Sequence, residues 1–189
     1  MLGYLKDKVL SALLVACFTF FIALLVSIGS EALVKAVNNT FVAFILLIFI
    51  IASGIFFDIV GTAAAAAQLP PFNAKAAKKV FGAYQAVKIT KNASVVANYT
   101  ADVGGDIAGT LSGAVGAGIV FSLVNIFSLS DLVLSGAVMT SFIAALTVGG
   151  KAIGKSIAIE KANSIIFQVA VVLGWWENLT GLELFKDRR

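Results

Sequence analysis

Two aspartates, Asp102 and Asp106, lie within the glycine-rich stretch NYTADVGGDIAGTLSGAVGAG, which covers positions 98–118. In an α-helix this spacing puts both carboxylates on one face. A third carboxylate, Asp58, lies inside the apolar run FVAFILLIFIIASGIFFDIVGTAA. A charged residue in such a segment costs about 2.5–3.5 kcal/mol on insertion scales and commonly marks an ion or proton site. These three aspartates are the first candidates for chemistry.

The composition is that of a membrane protein and restricts the chemistry further. The chain is 60% hydrophobic and 13% charged, whereas soluble domains are about half apolar and a quarter charged. It has no histidine and one cysteine, Cys17, which argues against a disulfide framework, a zinc site or histidine-based catalysis. A metal site would need oxygen ligands, and these suit hard cations such as Mg²⁺.

The hydropathy pattern predicts an all-α membrane protein with about four transmembrane helices. Each span needs roughly 20 apolar residues. The expected bounds are Val9–Ser30, Phe41–Ala64, Ala101–Phe127 and Leu132–Gly149. The first segment also has a signal-peptide interpretation, since SIGS is a tolerable cleavage site, but its apolar run is long for one and we expect a retained span.

Two further segments are predicted to lie at the membrane surface. The segment NAKAAKKVFGAYQAVKITK, at 73–91, is amphipathic and lysine-rich, which favours one or two short interfacial helices; an ordinary cytoplasmic loop helix is the alternative. Pro70 and Pro71 should end the preceding helix. The last apolar segment is short for a span and carries Trp175 and Trp176, which predicts a membrane-lying C-terminal helix.

The distribution of basic residues predicts the orientation. Lysines and arginines concentrate at the N-terminus, at 75–91, at 151–161 and in the tail KDRR, whereas the links 31–40 and 128–131 hold one lysine. The positive-inside rule then places both termini in the cytoplasm. We expect a multi-pass protein of the cell inner (plasma) membrane, with membrane lipid but no nucleic acid as a partner.

The candidate site lies where the second and third spans can meet. Those spans run in opposite directions, so Asp58 and Asp106 both lie toward the cytoplasmic half. An oxygen-lined cation site would use Asp58, Asp106, Ser53 and Thr110. The alternatives are that the overlapping GxxxG repeats of Gly105, Gly109 and Gly113 only pack helices, that an aspartate pairs with Lys151, or that the aspartates take up a proton, giving proton or sodium coupling.

Three patches of the sequence are similar to the motifs of a known family. The first, ASGIFFDIVGTAAAA, is similar to an F-S-G/A-x-F-S-G-x-E-T-A span. The second, GAYQAVKITKNASVVANYTADVGGDIAG, is similar to a motif ending in I-G-N-T, with Gly105 at the glycine and Asp106 at the asparagine. The third, GKAIGKSIAIEKANSI, is similar to G-E-x-x-P-K-S-x-A. Together they resemble the membrane domain of the CNNM/CorC (CorB-like) magnesium transporters, and the resemblance covers residues 50–175.

The resemblance implies a fold of three spans with a cytoplasmic-side belt helix-turn-helix, usually in a dimer. It implies Mg²⁺ held between helices by side-chain and carbonyl oxygens, here at Ser53, Gly54 and Asp106, with Gly105 as neighbour. We therefore expect an extra N-terminal transmembrane helix at 1–36, a CNNM/CorC-like domain at 37–175 and a basic cytoplasmic tail at 176–189.

Departures from the family pattern affect the charges of the site. Lys151 replaces a glutamate, Gly154 a proline, Gly61 a glutamate and Asp106 an asparagine. Asp58 and Asp106 would compensate by supplying charge directly to the ion. We expect no CBS-pair domain in this chain, so nucleotide control would need a separate regulatory subunit.

The sequence therefore predicts a homodimeric divalent cation transporter, with Mg²⁺ as the first candidate ion and Na⁺ or H⁺ as coupling ions. Asp106 and Ser53 are the primary expected ligands and Asp58 the second. Asp102 would be an entry-side charge and Lys151 a gate or counter-ion. The alternative is a non-transporting scaffold or regulatory subunit that keeps the fold. An enzyme is not expected, because phosphate chemistry would lack histidine and any arginine before Arg188.

Overall fold

The computed structural model describes residues 9, 12–14, 16–28, 39–127 and 131–181. Several segments discussed above lie outside these ranges: the N-terminal lysines, most of the 31–40 link, residues 128–130 and the basic tail from 182. Throughout the described part the chain is helical, without strands. The helices are α1 at Ala12–Ile28 and then α2 at Thr40–Ala66, α3 at Leu69–Ala77, α4 at Ala83–Lys91, α5 at Ala93–Ala97, α6 at Gly105–Phe127, α7 at Leu132–Glu160 and α8 at Ala162–Thr180.

Among the described residues, three helical stretches are long and apolar enough to cross a membrane. They are α2, the stretch Ala93–Ile126 and α7. Three of the four expected spans therefore correspond to candidate membrane-spanning helices, and the chain has the character of a membrane protein. The apolar helix α1 is shorter than these, and the ends of its expected span lie outside the described residues, so a fourth span remains a prediction.

The third stretch is not a uniform α-helix. Between α5 and α6, residues Asn98–Gly104 form a π-helical segment, in which each turn holds an extra residue. Its Thr100 hydroxyl donates to the Val96 carbonyl at 2.7 Å. The helix therefore begins before Ala101, and its residues follow a different angular spacing up to Gly104.

Local chemistry sets the ends of α2, α3 and α4. Pro70 and Pro71 lie in the first turn of α3, where a missing N–H donor costs nothing, so they begin a helix as well as separate it from α2. The turn between α3 and α4 ends at Gly82, whose φ of 81° favours glycine. A Cβ there would also lie 2.7 Å from Val171 Cγ2.

The contacts divide the chain into two compact units. The first comprises 1–51 and 107–146, and the second comprises 52–106 and 147–189. The core of the second unit joins the end of α2 to α3, α4, α7 and α8 through mostly small side chains, which allow close helix approach. Its buried members are Ala63, Ala64, Phe72, Ala86, Val87, Ile89, Ala158, Ala162, Ile166 and Ala170.

In the first unit, α6 packs on α7 and leaves a groove. Gly116 gives room to Ile143, and a Cβ on Gly116 would also lie 3.4 Å from Met139 Cγ. An open, largely apolar groove of about 270 Å³ lies beside this contact. Its lining residues are Gly113, Gly116, Ala117, Val120, Phe121, Leu132, Gly136, Met139, Thr140 and Ile143.

Candidate functional site

Asp58 is the buried carboxylate of the second unit. It lies on α2 and is 5% exposed. Its Oδ2 atom has no hydrogen-bond partner among the described residues. The Lys155 ammonium on α7 lies 3.9 Å from that oxygen, and its own side chain is 55% exposed. The pair is thus a loose electrostatic contact between a buried anion and a cation that reaches water.

One helical turn before Asp58, α2 approaches α6 and α7 at two glycines. Gly54 and Gly105 are both buried. A Cβ built on Gly105 would lie 3.4 Å from Lys151 Nζ and 3.8 Å from the Gly54 carbonyl oxygen. A positive ammonium and a backbone carbonyl therefore lie next to the same small space. Ser53, beside Gly54, is half-buried.

The remaining predicted site residues are on the surface of the described structure. Asp102 lies in the π-helical segment and Asp106 in the first turn of α6, and both are exposed. Because the π-helical turn intervenes, the α-helical spacing expected between them does not apply. Thr110 is exposed and belongs to the first unit. Burial therefore distinguishes Asp58 from the other two aspartates.

Gly61 of α2 packs closely against the π-helical segment. A Cβ on Gly61 would lie 2.6 Å from Ala101 Cβ and 2.9 Å from the Ala101 backbone nitrogen. Gly104, in the same segment, lies against the Phe57 ring, and a Cβ built on Gly104 would be 3.0 Å from Phe57 Cγ. The π-helical segment thus fits the surface of α2 without space for a larger residue at Gly61.

A second glycine pair packs α7 on α2, and the sequence interpretation missed it. Gly150 lies against Ile55, and a Cβ on Gly154 would be 2.8 Å from Ile59 Cγ1. By contrast, a Cβ on Gly109 or Gly113 would meet nothing within 4 Å in the part of the chain that the structure describes. The G-x-x-x-G spacing at 150–154 gives the same helix-packing signal as the repeats of Gly105, Gly109 and Gly113.

Lys155 is the other residue whose role the sequence did not indicate. It lies one helical turn after Lys151, so α7 presents two ammonium groups with the spacing that puts them on one face. In the sequence Lys155 only matches the lysine of the G-E-x-x-P-K-S-x-A pattern, and no neighbouring residue links it to Asp58. The pairing depends on how α7 packs on α2.

The oxygen atoms of this part of α2 are too few to enclose a metal ion. Within the described ranges, no three His, Cys, Asp or Glu side chains come close enough together to hold a metal ion. Around Asp58 and Gly54 the oxygens are a carboxylate, a carbonyl and the nearby Ser53 hydroxyl. Mg²⁺ commonly keeps several waters and uses one or two carboxylates, so this set allows transient coordination rather than a closed cage.

Comparisons with protein-family models, with curated proteins and with solved structures find no match to this chain.

Proposed function

We propose that this protein moves a divalent cation across the membrane, with Mg²⁺ as the first candidate, and that Asp58 is its principal ligand. One observation carries the proposal. A carboxylate on an apolar helix is buried, and its Oδ2 has no hydrogen-bond partner in the described structure. A carboxylate at such a position is costly and is, by default, a functional-site hypothesis.

The two lysines of α7 give the site a way to admit and release the ion. Unit charges of like sign at 4 Å repel by about 4 kcal/mol at an effective dielectric of 20, and a divalent ion doubles this. A cation at Asp58 would therefore displace Lys155, whose side chain already reaches water. When the cation leaves, Lys155 returns and neutralises the carboxylate.

Lys151 would act one turn away as the gate. Its ammonium lies beside Gly105 and near the Gly54 carbonyl, so it takes a position that an incoming cation would also favour. Ser53 and the Gly54 carbonyl would supply additional oxygens once it moves. Exposed Asp102 and Asp106 would raise the local cation concentration at the entrance. A sodium or proton gradient is the proposed source of coupling.

Liposome flux tests this proposal. Purified protein is reconstituted with a Mg²⁺-sensitive dye inside the vesicles, a Mg²⁺ gradient is imposed, and sodium and proton gradients are added in turn. Wild type should carry flux and Asp58→Asn should lose at least about tenfold. The variant removes a unit charge that attracts a divalent ion at 4 Å by about 8 kcal/mol at an effective dielectric of 20, and 1.4 kcal/mol is already tenfold.

The matched control is Asp131→Asn. Asp131 is exposed and its Oδ1 accepts from the Leu134 backbone N–H at the start of α7. Asparagine caps a helix as well as aspartate does, so this variant should keep wild-type flux. Wild-type protein that is folded yet carries no flux under any gradient would contradict the proposal.

A non-transporting scaffold is the second candidate, because the site already holds its own cations. Lys155 lies near Asp58 and Lys151 lies beside Gly105. In a scaffold these lysines would be permanent counter-ions. Lys151→Gln separates the two: in a transporter it removes the gate's charge and raises Mg²⁺ flux, whereas in a scaffold it gives no flux and only changes stability.

The proposed setting is the inner membrane, with both termini cytoplasmic, α3 and α4 as the belt and a homodimer as the functional form. Replacing Cys17, the one cysteine, by serine permits a topology test. A membrane-impermeant maleimide should label Lys79→Cys from the cytoplasmic side and Asp131→Cys from the opposite side. Labelling of both from one side would contradict this topology.

A further inference from the structure

Helix α8 is apolar on one face along its length and on the opposite face over its C-terminal half. One face is buried in the second unit and consists of Ala162, Ile166, Ala170 and Gly174. At 100° per residue, Val172, Trp175, Trp176 and Leu179 lie on the opposite side. These four are 67%, 61%, 53% and 64% exposed. A contiguous patch of large exposed apolar side chains marks an interaction site with protein or membrane, so this second face, called here the tryptophan face, needs a partner.

The buried face of α8 is fixed to polar parts of the second unit. Gln85 Nε2 on α4 donates to Glu177 Oε2 on α8 at 2.9 Å. Near the other end, the Gln68 backbone N–H donates to Asn163 Oδ1 at 2.8 Å. Lys75 also places its ammonium 3.7 Å from the centroid of the Phe167 ring. These polar contacts favour a place for α8 outside the hydrocarbon core.

The lengths of the spanning helices put α8 at the level of lipid headgroups. At 1.5 Å per residue, the 29 residues of α7 extend about 43 Å, which matches the 40–45 Å of a bilayer with its headgroup regions. One residue, Lys161, separates α7 from α8. The helix α2 similarly leads into α3 through two residues, so α3, α4 and α8 all begin near the membrane surface.

Charged residues beside α8 complement an anionic leaflet. Gly82 packs on Val171, which brings the α3–α4 turn next to α8. In that turn Lys78, Lys79 and Phe81 are exposed. Exposed tryptophans with nearby lysines are typical of membrane–water interfaces.

We infer that the tryptophan face of α8 inserts into the headgroup–acyl boundary of the leaflet at the C-terminal end of α7. Helix α8 is then an in-plane membrane anchor for the second unit. The helix lies parallel to the surface, with α4 on one side and lipid on the other. The lysines of the α3–α4 turn bind anionic headgroups. This inference does not depend on cation transport.

The protein carries its own reporter, because Trp175 and Trp176 are its two tryptophans. The full chain is placed in nanodiscs of mixed zwitterionic and anionic lipid that carry a nitroxide on the headgroup, high on the acyl chain or at its end. Shallow nitroxides should quench the emission several-fold more than the deep one, and aqueous iodide should quench it weakly. Strong iodide quenching with no lipid quenching would overturn the inference, since the face would then be open to a soluble partner.

A second variant distinguishes an in-plane helix from one that crosses the membrane. Trp175→Phe and Trp176→Phe remove the native signal, and Gln168→Trp places one tryptophan about two turns earlier. Gln168 is exposed and lies on the same side as Val172. An in-plane α8 predicts the same shallow quenching at this position. Preferential quenching by the deep nitroxide would mean that α8 enters the hydrocarbon core, and would overturn the inference.

Discussion

The α2 surface around Asp58 and the α6 stretch from Asp106 to Gly113 have similar sequences and different environments. Both combine a carboxylate, glycines and a threonine. Around Asp58 the glycines make close contacts, at Gly61 with the π-helical segment and at Gly54 near Gly105 and Lys151. On α6, Gly109 and Gly113 have open space within the described structure, and Asp106 is exposed.

Small residues therefore indicate where two helices are able to approach each other closely, and not where they do so. A GxxxG repeat permits close packing, but a partner helix must supply complementary side chains. Ile55 and Ile59 supply them for Gly150 and Gly154. Close packing also removes water from Asp58, and it is this burial that gives the carboxylate its functional interest.

The largest expected difference is between Gly61→Ala and Gly109→Ala. The first adds a methyl group 2.6 Å from Ala101 Cβ and 2.9 Å from a backbone nitrogen, so a shift is required, and overpacking costs about 1–3 kcal/mol. The second adds a methyl group to open space and should stabilise the helix by up to about 1 kcal/mol. Thermal unfolding in detergent measures both. Equal effects would erase the contrast between the two regions.

A smaller contrast is expected on α7 between Gly154→Ala and Gly149→Ala. The Gly154 methyl would meet the Ile59 side chain at 2.8 Å, and a side chain yields more easily than backbone. The loss should be about 1 kcal/mol. Gly149 has nothing within 4 Å among the described residues, so its variant serves as the matched control. A Gly154→Ala protein as stable as the control would show that α7 is free to move on α2.

The smallest effect on stability is expected for Lys155→Gln. Its ammonium is 3.9 Å from Asp58 Oδ2 and its side chain is more than half exposed, so the pair should contribute at most about 1 kcal/mol. Lys161→Gln, exposed at the start of α8, is the control. A loss of several kcal/mol in Lys155→Gln would indicate a permanent structural ion pair and favour the scaffold.

The sequence predicted the long apolar helices and the short helices after α2 more directly than the packing around Asp58. Long apolar runs predicted α2, the third stretch and α7, and amphipathic spacing predicted α3 and α4. The bounds differed where the local signal was ambiguous: Pro70 and Pro71 begin α3, and α7 continues past Gly149 because its glycines pack on α2. The π-helical segment had no local signal, since its contacts with Gly61 and Phe57 come from another helix.

The same distinction between local sequence signals and helix packing applies to the candidate site residues. Residue type identified Asp58 as a charge in an apolar helix, but burial, and not type, ranks it above Asp106. The nearness of Lys155 to Asp58 could not be predicted, because the two residues are far apart in sequence and the contact arises from the packing of α7 on α2. The family resemblance implied Ser53, Gly54 and Gly105, and it did not point to the lysine near Asp58.

Mg²⁺ flux in liposomes containing wild type, Asp58→Asn or Asp106→Asn, measured side by side, decides which aspartate holds the ion. Asp58→Asn should lose at least about tenfold, because it removes the charge that attracts the cation. Asp106→Asn should lose at most a few-fold, because an exposed charge at the entrance acts mainly on encounter. The reverse order, with flux surviving Asp58→Asn and lost in Asp106→Asn, would contradict the proposed role of Asp58 and move the ion site to α6.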